Sequence, residues 1–162
     1  MLLNEINARS DEIASILMDS IEKEGLEKFF KDPDTIKKHL NLKDADIHEL
    51  NNESSFYCSN KDWDQAIPAL TWLTFLEPLN ASHFLRLGAA LLINEQYEEA
   101  FEVLATGFSL DPQNPEFTLY MKNCLTALGD DAGSKEFLRK TIELSKNNSI
   151  YNHIFQIASE AT

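Results

Sequence analysis

Slid along itself by 34 residues, the sequence meets its own pattern. Phe84, Leu91, Tyr97, Ala100, Leu104, Gly107 and Pro112 are answered upstream by Leu50, Tyr57, Trp63, Ala66, Leu70, Leu73 and Pro78. In both copies an aromatic is followed three residues later by Ala, Trp63 by Ala66 and Tyr97 by Ala100. A period of this length implies one supersecondary unit that cannot bury its apolar face alone and must stack on neighbours. Downstream, Thr118, Met121, Lys122, Leu125, Ser134, Leu138 and Thr141 fill the register less faithfully. Lys122 replaces a small residue and Ser134 an Ala, the weakening expected of a terminal repeat.

Between Ala81 and Asn114, Phe84, Leu87, Gly88 and Leu91 share one helical face and Ala100, Leu104 and Gly107 a second, with Pro112 stopping the pair. This is the 34-residue helix–turn–helix of a tetratricopeptide repeat. The predicted fold is therefore all-α: three tandem tetratricopeptide hairpins forming an α-solenoid over residues 44–146, with repeats at about 47–80, 81–114 and 115–146. An N-terminal helical segment, 1–43, precedes them and a C-terminal capping helix, 147–162, follows, all in one domain. Helices are expected from 44 or 46 to 59, from 62 or 63 to 76, and over 81–94, 97–110, 115–128, 131–146 and 149–160. Gly88 and Ala100 are expected to let the two helices approach, so Leu at either position should overpack the pair by roughly 1–3 kcal/mol. Pro68, inside a predicted helix, costs about 3 kcal/mol in an ordinary interior and is expected to kink it. Ile150, Ile154, Ile157 and Ala158 should share one buried stripe on the last helix.

In the N-terminal segment Ser10 reads as the N-cap of a helix carrying Ile13, Ile16, Leu17 and Ile21, closed by Gly25. Leu26, Phe29 and Phe30 follow, and Pro33 opens a short helix with Ile36, His39 and Leu40. This stripe has two homes: a cap on the first repeat, or a homodimer contact with a second copy.

The net charge is −13 and the sequence pI about 4.6. Nucleic acid is excluded as a partner, because phosphates recruit Lys and Arg, and anionic membrane surfaces are disfavoured for the same reason. Residues 47–114 hold ten acids against Lys61 and Arg86, a local net of −8. Such acidity is either a solvated face or a means of keeping a surface that holds apolar segments from self-associating. The first residues show no basic n-region with an apolar run, and no stretch is long and apolar enough to span a bilayer, so a cytoplasmic protein is expected. Cys58 and Cys124 make no CxxC and suit a reducing compartment. The sequons at Asn52, Asn80 and Asn147 are then chance matches.

No catalytic constellation emerges. His39, His48, His83 and His153 are dispersed, no phosphate-binding or nucleophile motif occurs, and His48 and Cys58 would lie about 15 Å apart along one helix. The chain is expected to be non-enzymatic, with no metal and no cofactor. An array of hairpins instead makes a concave surface from the first helix of each repeat. Repeat positions 2, 5, 9, 12 and 13 face it, including Asn51, Ser55 and Cys58 from the first repeat. Leu85, Ala89, Leu92 and Ile93 come from the second, with Arg86 beside them, and Leu119 and Asn123 from the third. Unless the N-terminal or final helix fills it, this groove accepts a peptide from another protein. Clamping of acidic C-terminal carboxylates is excluded, since Arg86 is the only basic residue on the first helices of the first two repeats.

The stretches FYCSNKDWDQAI, LRLGAALLINEQYEEAFEVLATGFSLDP and KNCLTAL, within about 90 residues, resemble the tetratricopeptide class of type III secretion chaperones, the SycD/LcrH family. The resemblance implies a cytosolic chaperone that holds a secreted protein client, a hydrophobic translocator or an effector, by a short proline- and leucine-bearing segment in the concave groove. Carried over by position, that groove would use Asn51, Ser55, Cys58, Leu85, Ala89 and Leu92. Family members of this pattern place tyrosines in the first repeat's groove, where this chain has Asn51, Ser55 and Cys58, which offer less flat apolar area. The alternative reading is an adaptor scaffolding a stable cytosolic complex.

Overall fold

The computed structural model describes residues 2–24, 35–146 and 148–161. They are helical almost throughout and divide into two compact units, residues 1–79 and 80–162, where the sequence suggests a single domain. The division falls at the boundary between the first and second repeats.

In the first unit, α1 (Leu2–Ala8), α2 (Ser10–Glu24) and α3 (Thr35–His39) precede hairpin 1, made of α4 (Asp44–Ser59) and α5 (Trp63–Leu76). The short α1 was not expected. It is held by a partner half a hundred residues away: the backbone N–H groups of Leu2 and Leu3 donate to the Glu53 carboxylate at 2.8 and 3.1 Å. A carboxylate at a helix N-terminus satisfies orphan donors and opposes the helix dipole favourably. Leu3 and Ile6 are buried, and Trp72 Nε1 donates to Asn7 Oδ1 at 3.0 Å. Ser10 is the first residue of α2 rather than its cap. Ile13 is buried and Leu17 half-buried, lining a wholly apolar hollow of about 240 Å³ with Thr71, Trp72 and Phe75 of α5, so part of the N-terminal stripe serves hairpin 1. Gly25, Leu26, Phe29, Phe30, Pro33 and the side chain of Ile21 lie outside the described residues. Ile36 and Leu40 are buried. Lys37, nearly enclosed, reaches Asp44 at 3.6 Å and Glu77 at 3.7 Å. The helix α5 runs from Trp63 to Leu76 through Pro68, burying Ala66, Ala69, Leu70, Leu73 and Leu76.

The second unit holds hairpin 2, α6 (Ala81–Ile93) with α7 (Tyr97–Leu110), and hairpin 3, α8 (Pro115–Ala127) with α9 (Asp131–Ser145). A single 3₁₀ turn at Ser149–Tyr151 leads into α10 (Asn152–Glu160). The close approach in hairpin 2 adds to the sequence reading. A Cβ added to Gly88 would meet the Leu104 side chain first, its Cδ2 at 2.5 Å, so Leu104 joins Ala100 among the residues that Gly88 makes room for. Gly107 makes a second such contact, where a Cβ would sit 2.7 Å from Phe84 Cβ and 2.8 Å from Phe117 Cζ, so its bare backbone admits the Phe117 ring of hairpin 3. The last helix also departs from expectation. Ile154 and Ala158 are buried, whereas Ile150 and Ile157 are 75% and 53% exposed.

The period is written in the helix ends as well as in the core. Asn80, Asn114 and Asn148, one repeat apart, each accept a side-chain hydrogen bond from the N–H two residues on, at 3.2, 3.0 and 3.0 Å. This is N-capping by the residue type best suited to it. At the turns, Lys61, Glu95 and Gly129, again one repeat apart, adopt positive φ of 58°, 63° and 79°. The N–H groups of Asp62, Gln96 and Asp130 then reach back to the carbonyls of Tyr57, Leu91 and Leu125 at 3.0, 3.0 and 2.9 Å. These are Schellman closures, which satisfy carbonyls left over at a helix end and favour Gly at the left-handed position.

Candidate functional site

Three of the residues assigned to the groove lie in the first unit, on α4. Asn51 and Cys58 are half-buried, and Ser55 is exposed with its hydroxyl donating to the Asn51 carbonyl at 2.9 Å. Spacings of four and three residues put them on one face of the helix. That face is polar or only weakly apolar, with Phe56, 62% exposed, next to it in sequence.

The other six lie in the second unit. Leu85, Arg86, Ala89 and Leu92 are half-buried on α6, and Leu119 and Asn123 are half-buried on α8. These two helices pack against each other, so within this unit the six stand on neighbouring elements. Ile93 closes the α6 row and is 60% exposed. The row is supported from behind. Leu87, Ala90 and Leu91 on α6, and Phe117, Met121 and Cys124 on α8, face the core, so the half-buried residues between them are held by a packed backbone. What such a wall does chemically is limited and specific: partly dehydrated apolar side chains, with few titratable groups among them, suit contact with another apolar chain.

The two thiols do not extend that repertoire. Burial pushes the Cys124 thiol up to about 11, so it stays protonated and inert near neutrality. Among the described residues no three His, Cys, Asp or Glu side chains gather as a metal site would require. No described helix is long and apolar enough to cross a membrane. Sequence reasoning missed Ile150 and Ile157 as exposed apolar positions. The signal was present, because Asn148 repeats Asn114 at the same period.

A tetratricopeptide-repeat family model matches residues 91–153, from the end of α6 into α10. No curated protein matches the chain by sequence. Solved structures match it closely in shape. A type III secretion complex from Aeromonas hydrophila superposes with a TM-score of 0.77 at 21% identity, covering 84% of this chain and 91% of that one. The Yersinia enterocolitica secretion chaperone SycD, bound to a peptide of the translocator YopD, gives 0.68 at 22% identity over 70% and 87% of the two chains. PcrH from Pseudomonas aeruginosa, in complex with the chaperone-binding region of PopB, gives 0.71 at 22% identity over 75% and 98%. The chain has the fold of these secretion chaperones.

Proposed function

We propose that this protein is a non-enzymatic cytoplasmic chaperone of type III secretion, which holds a segment of an exported translocator or effector on the first helices of its repeats. The observation that carries the reading is the match, over most of the chain, to chaperones captured with translocator segments. It coincides here with a row of half-exposed apolar side chains on α6 and α8. Leu85, Ala89, Leu92 and Leu119 would take the client's apolar side chains, while Arg86 and Asn123 bond its backbone or polar groups. Asn51, Ser55 and Cys58 would receive a less aromatic part of the client than tyrosines would. The acidity supports the same role, since like charge keeps chaperones from associating through a surface meant for others. The part of the N-terminal stripe left over from packing on hairpin 1, with Met18 66% exposed, is proposed as a homodimer contact.

The test is copurification from the bacterium that makes the protein. A secreted or membrane-active protein should accompany the chain, and Leu92→Glu should release it. Recovery of cytosolic partners alone, unchanged by Leu92→Glu, would overturn the proposal in favour of an adaptor.

A further inference from the structure

A segment that merely closes an array should turn only polar residues outward, yet the 3₁₀ turn and α10 expose Ile150 and Ile157 among polar neighbours. The 3₁₀ turn at Ser149–Tyr151 that leads into α10 starts one period after α8 and two after α6, with Asn148 capping it as Asn114 and Asn80 cap those helices. Ala158 is buried where Cys124 and Ala90 are. Within the second unit α10 packs on α8 as α8 packs on α6, so the three form a row of like elements. In that register Ile150 succeeds Ser82 and Glu116, and Ile157 succeeds Ala89 and Asn123, positions on the face assigned to the groove. Both isoleucines are more than half exposed. Two apolar side chains facing solvent seven residues apart, one in the 3₁₀ turn and one on α10, make apolar surface ready for contact.

The electrostatics choose the occupant. Asp111 and Glu116 lie near Tyr151, between the two isoleucines in sequence, and with burial they raise its phenol pKa. Among the described residues neither carboxylate has a cation within ion-pair distance. The unit as a whole carries eleven acids against six bases, so a second copy would meet like charge. An apolar segment with basic neighbours meets the opposite sign.

Resting on the client-groove reading above, we infer that α10 is a fourth rib of that groove. An apolar stretch of the client lies over Ile150 and Ile157, and a Lys or Arg beside it faces Asp111 and Glu116. Within the second unit the client site then continues beyond hairpin 3, and its far end selects for positive charge.

The experiment titrates the 162-residue chain into a fluorescein-labelled peptide of leucine, proline and alanine with two lysines at each end, followed by anisotropy; the same peptide ended by glutamates is the comparison. The lysine form should bind at least tenfold more tightly. Ile150→Ser with Ile157→Ser should weaken it about tenfold while leaving the thermal transition in place, and Asp111→Asn with Glu116→Gln should abolish the preference for lysine. Loss of binding in Leu92→Glu without loss in the isoleucine double variant would leave the groove standing and remove the fourth rib. If neither the parent nor any variant binds either peptide, the groove reading and the rib fall together. Dimerisation that disappears in the isoleucine double variant, with peptide binding unchanged, would assign the stripe to a second copy and overturn the inference.

Discussion

Hairpins 2 and 3 solve one packing problem by opposite means. Where hairpin 2 sets Phe84 against Gly107, a large side chain against none, hairpin 3 has Thr118 and Thr141 at the same repeat positions. Two medium side chains fill the space of one large one. Both threonines are fully buried, and their hydroxyls pair at 2.9 Å, Thr118 donating onward to the Pro115 carbonyl at 3.0 Å. Ser134, in the place of Ala100, contacts the Thr126 hydroxyl at 2.8 Å. The third repeat is therefore a polar version of the second, not a failing one. Apolar contact is indifferent to direction, whereas a hydroxyl pair adds a directional bond; each hydroxyl also has a carbonyl of its own helix in reach, that of Pro115 for Thr118 and that of Phe137, at 2.8 Å, for Thr141. The difference teaches that departure from a repeat's apolar pattern is not by itself loss of packing.

The contrast can be broken most severely at Gly107. Gly107→Leu must displace the Phe117 ring and Phe84 together, and should lower the stability measured by urea unfolding by about 3 kcal/mol. The equivalent Thr141→Leu removes a bond but meets no such backbone contact, and should cost less.

Next comes the thiol. Hairpin 3 carries buried Cys124 where hairpin 2 has Ala90. Its folded pKa is raised to about 11 by burial. The unfolded thiol ionises near 9, so between about pH 9 and 11 the unfolded chain sheds a proton that the folded chain keeps. Stability from this group is complete below pH 9 and should fall by about 3 kcal/mol as pH rises through that window. Cys124→Ala should flatten the difference between unfolding curves taken at pH 8 and pH 11. An unchanged slope would place the alkaline loss elsewhere.

The hydroxyl pair gives a smaller effect with a sharper shape. Thr118→Val or Thr141→Val alone should cost about 1 kcal/mol, by leaving a buried hydroxyl short of a partner. The double variant should cost less than the sum of the two, and a double-mutant cycle measures that coupling. Strict additivity would mean the two oxygens do not act together.

The smallest effect is at the turns, where hairpin 3 uses Gly129 and hairpins 1 and 2 use Lys61 and Glu95 at left-handed φ. Lys61→Gly and Glu95→Gly should each raise the unfolding free energy measured in urea, by up to about 1 kcal/mol, and Gly129→Ala should lower it by a similar amount.

What was legible in the sequence and what was not follows from the range of each interaction. The hairpin helices were placed within a residue or two, because apolar spacing, Trp63, Tyr97, Pro78 and Pro112 act locally. The helix α1 was not, because its N-terminus is held by Glu53, fifty positions on, which no local pattern reveals. The nearest neighbour of Gly88 was not legible for the same reason. Spacing shows which residues share a face, but only assembled helices show that the Leu104 side chain comes nearest to Gly88. The turns escaped notice because Lys and Glu do not announce a left-handed conformation. At the candidate site the repeat register supplied Leu85, Ala89, Leu92 and Leu119, whereas the exposure of Ile150 and Ile157 depends on which side of the 3₁₀ turn and of α10 meets its neighbours.

Evenly spaced asparagine caps also make the chain modular in a practical sense. Because Asn80 and Asn114 begin their helices in the same way, a duplicate of residues 80–113 spliced in before Asn114 would start and stop on intact hydrogen-bonded joints. Growth by whole hairpins, with the two flanking segments untouched, is the change this architecture accommodates with least rearrangement.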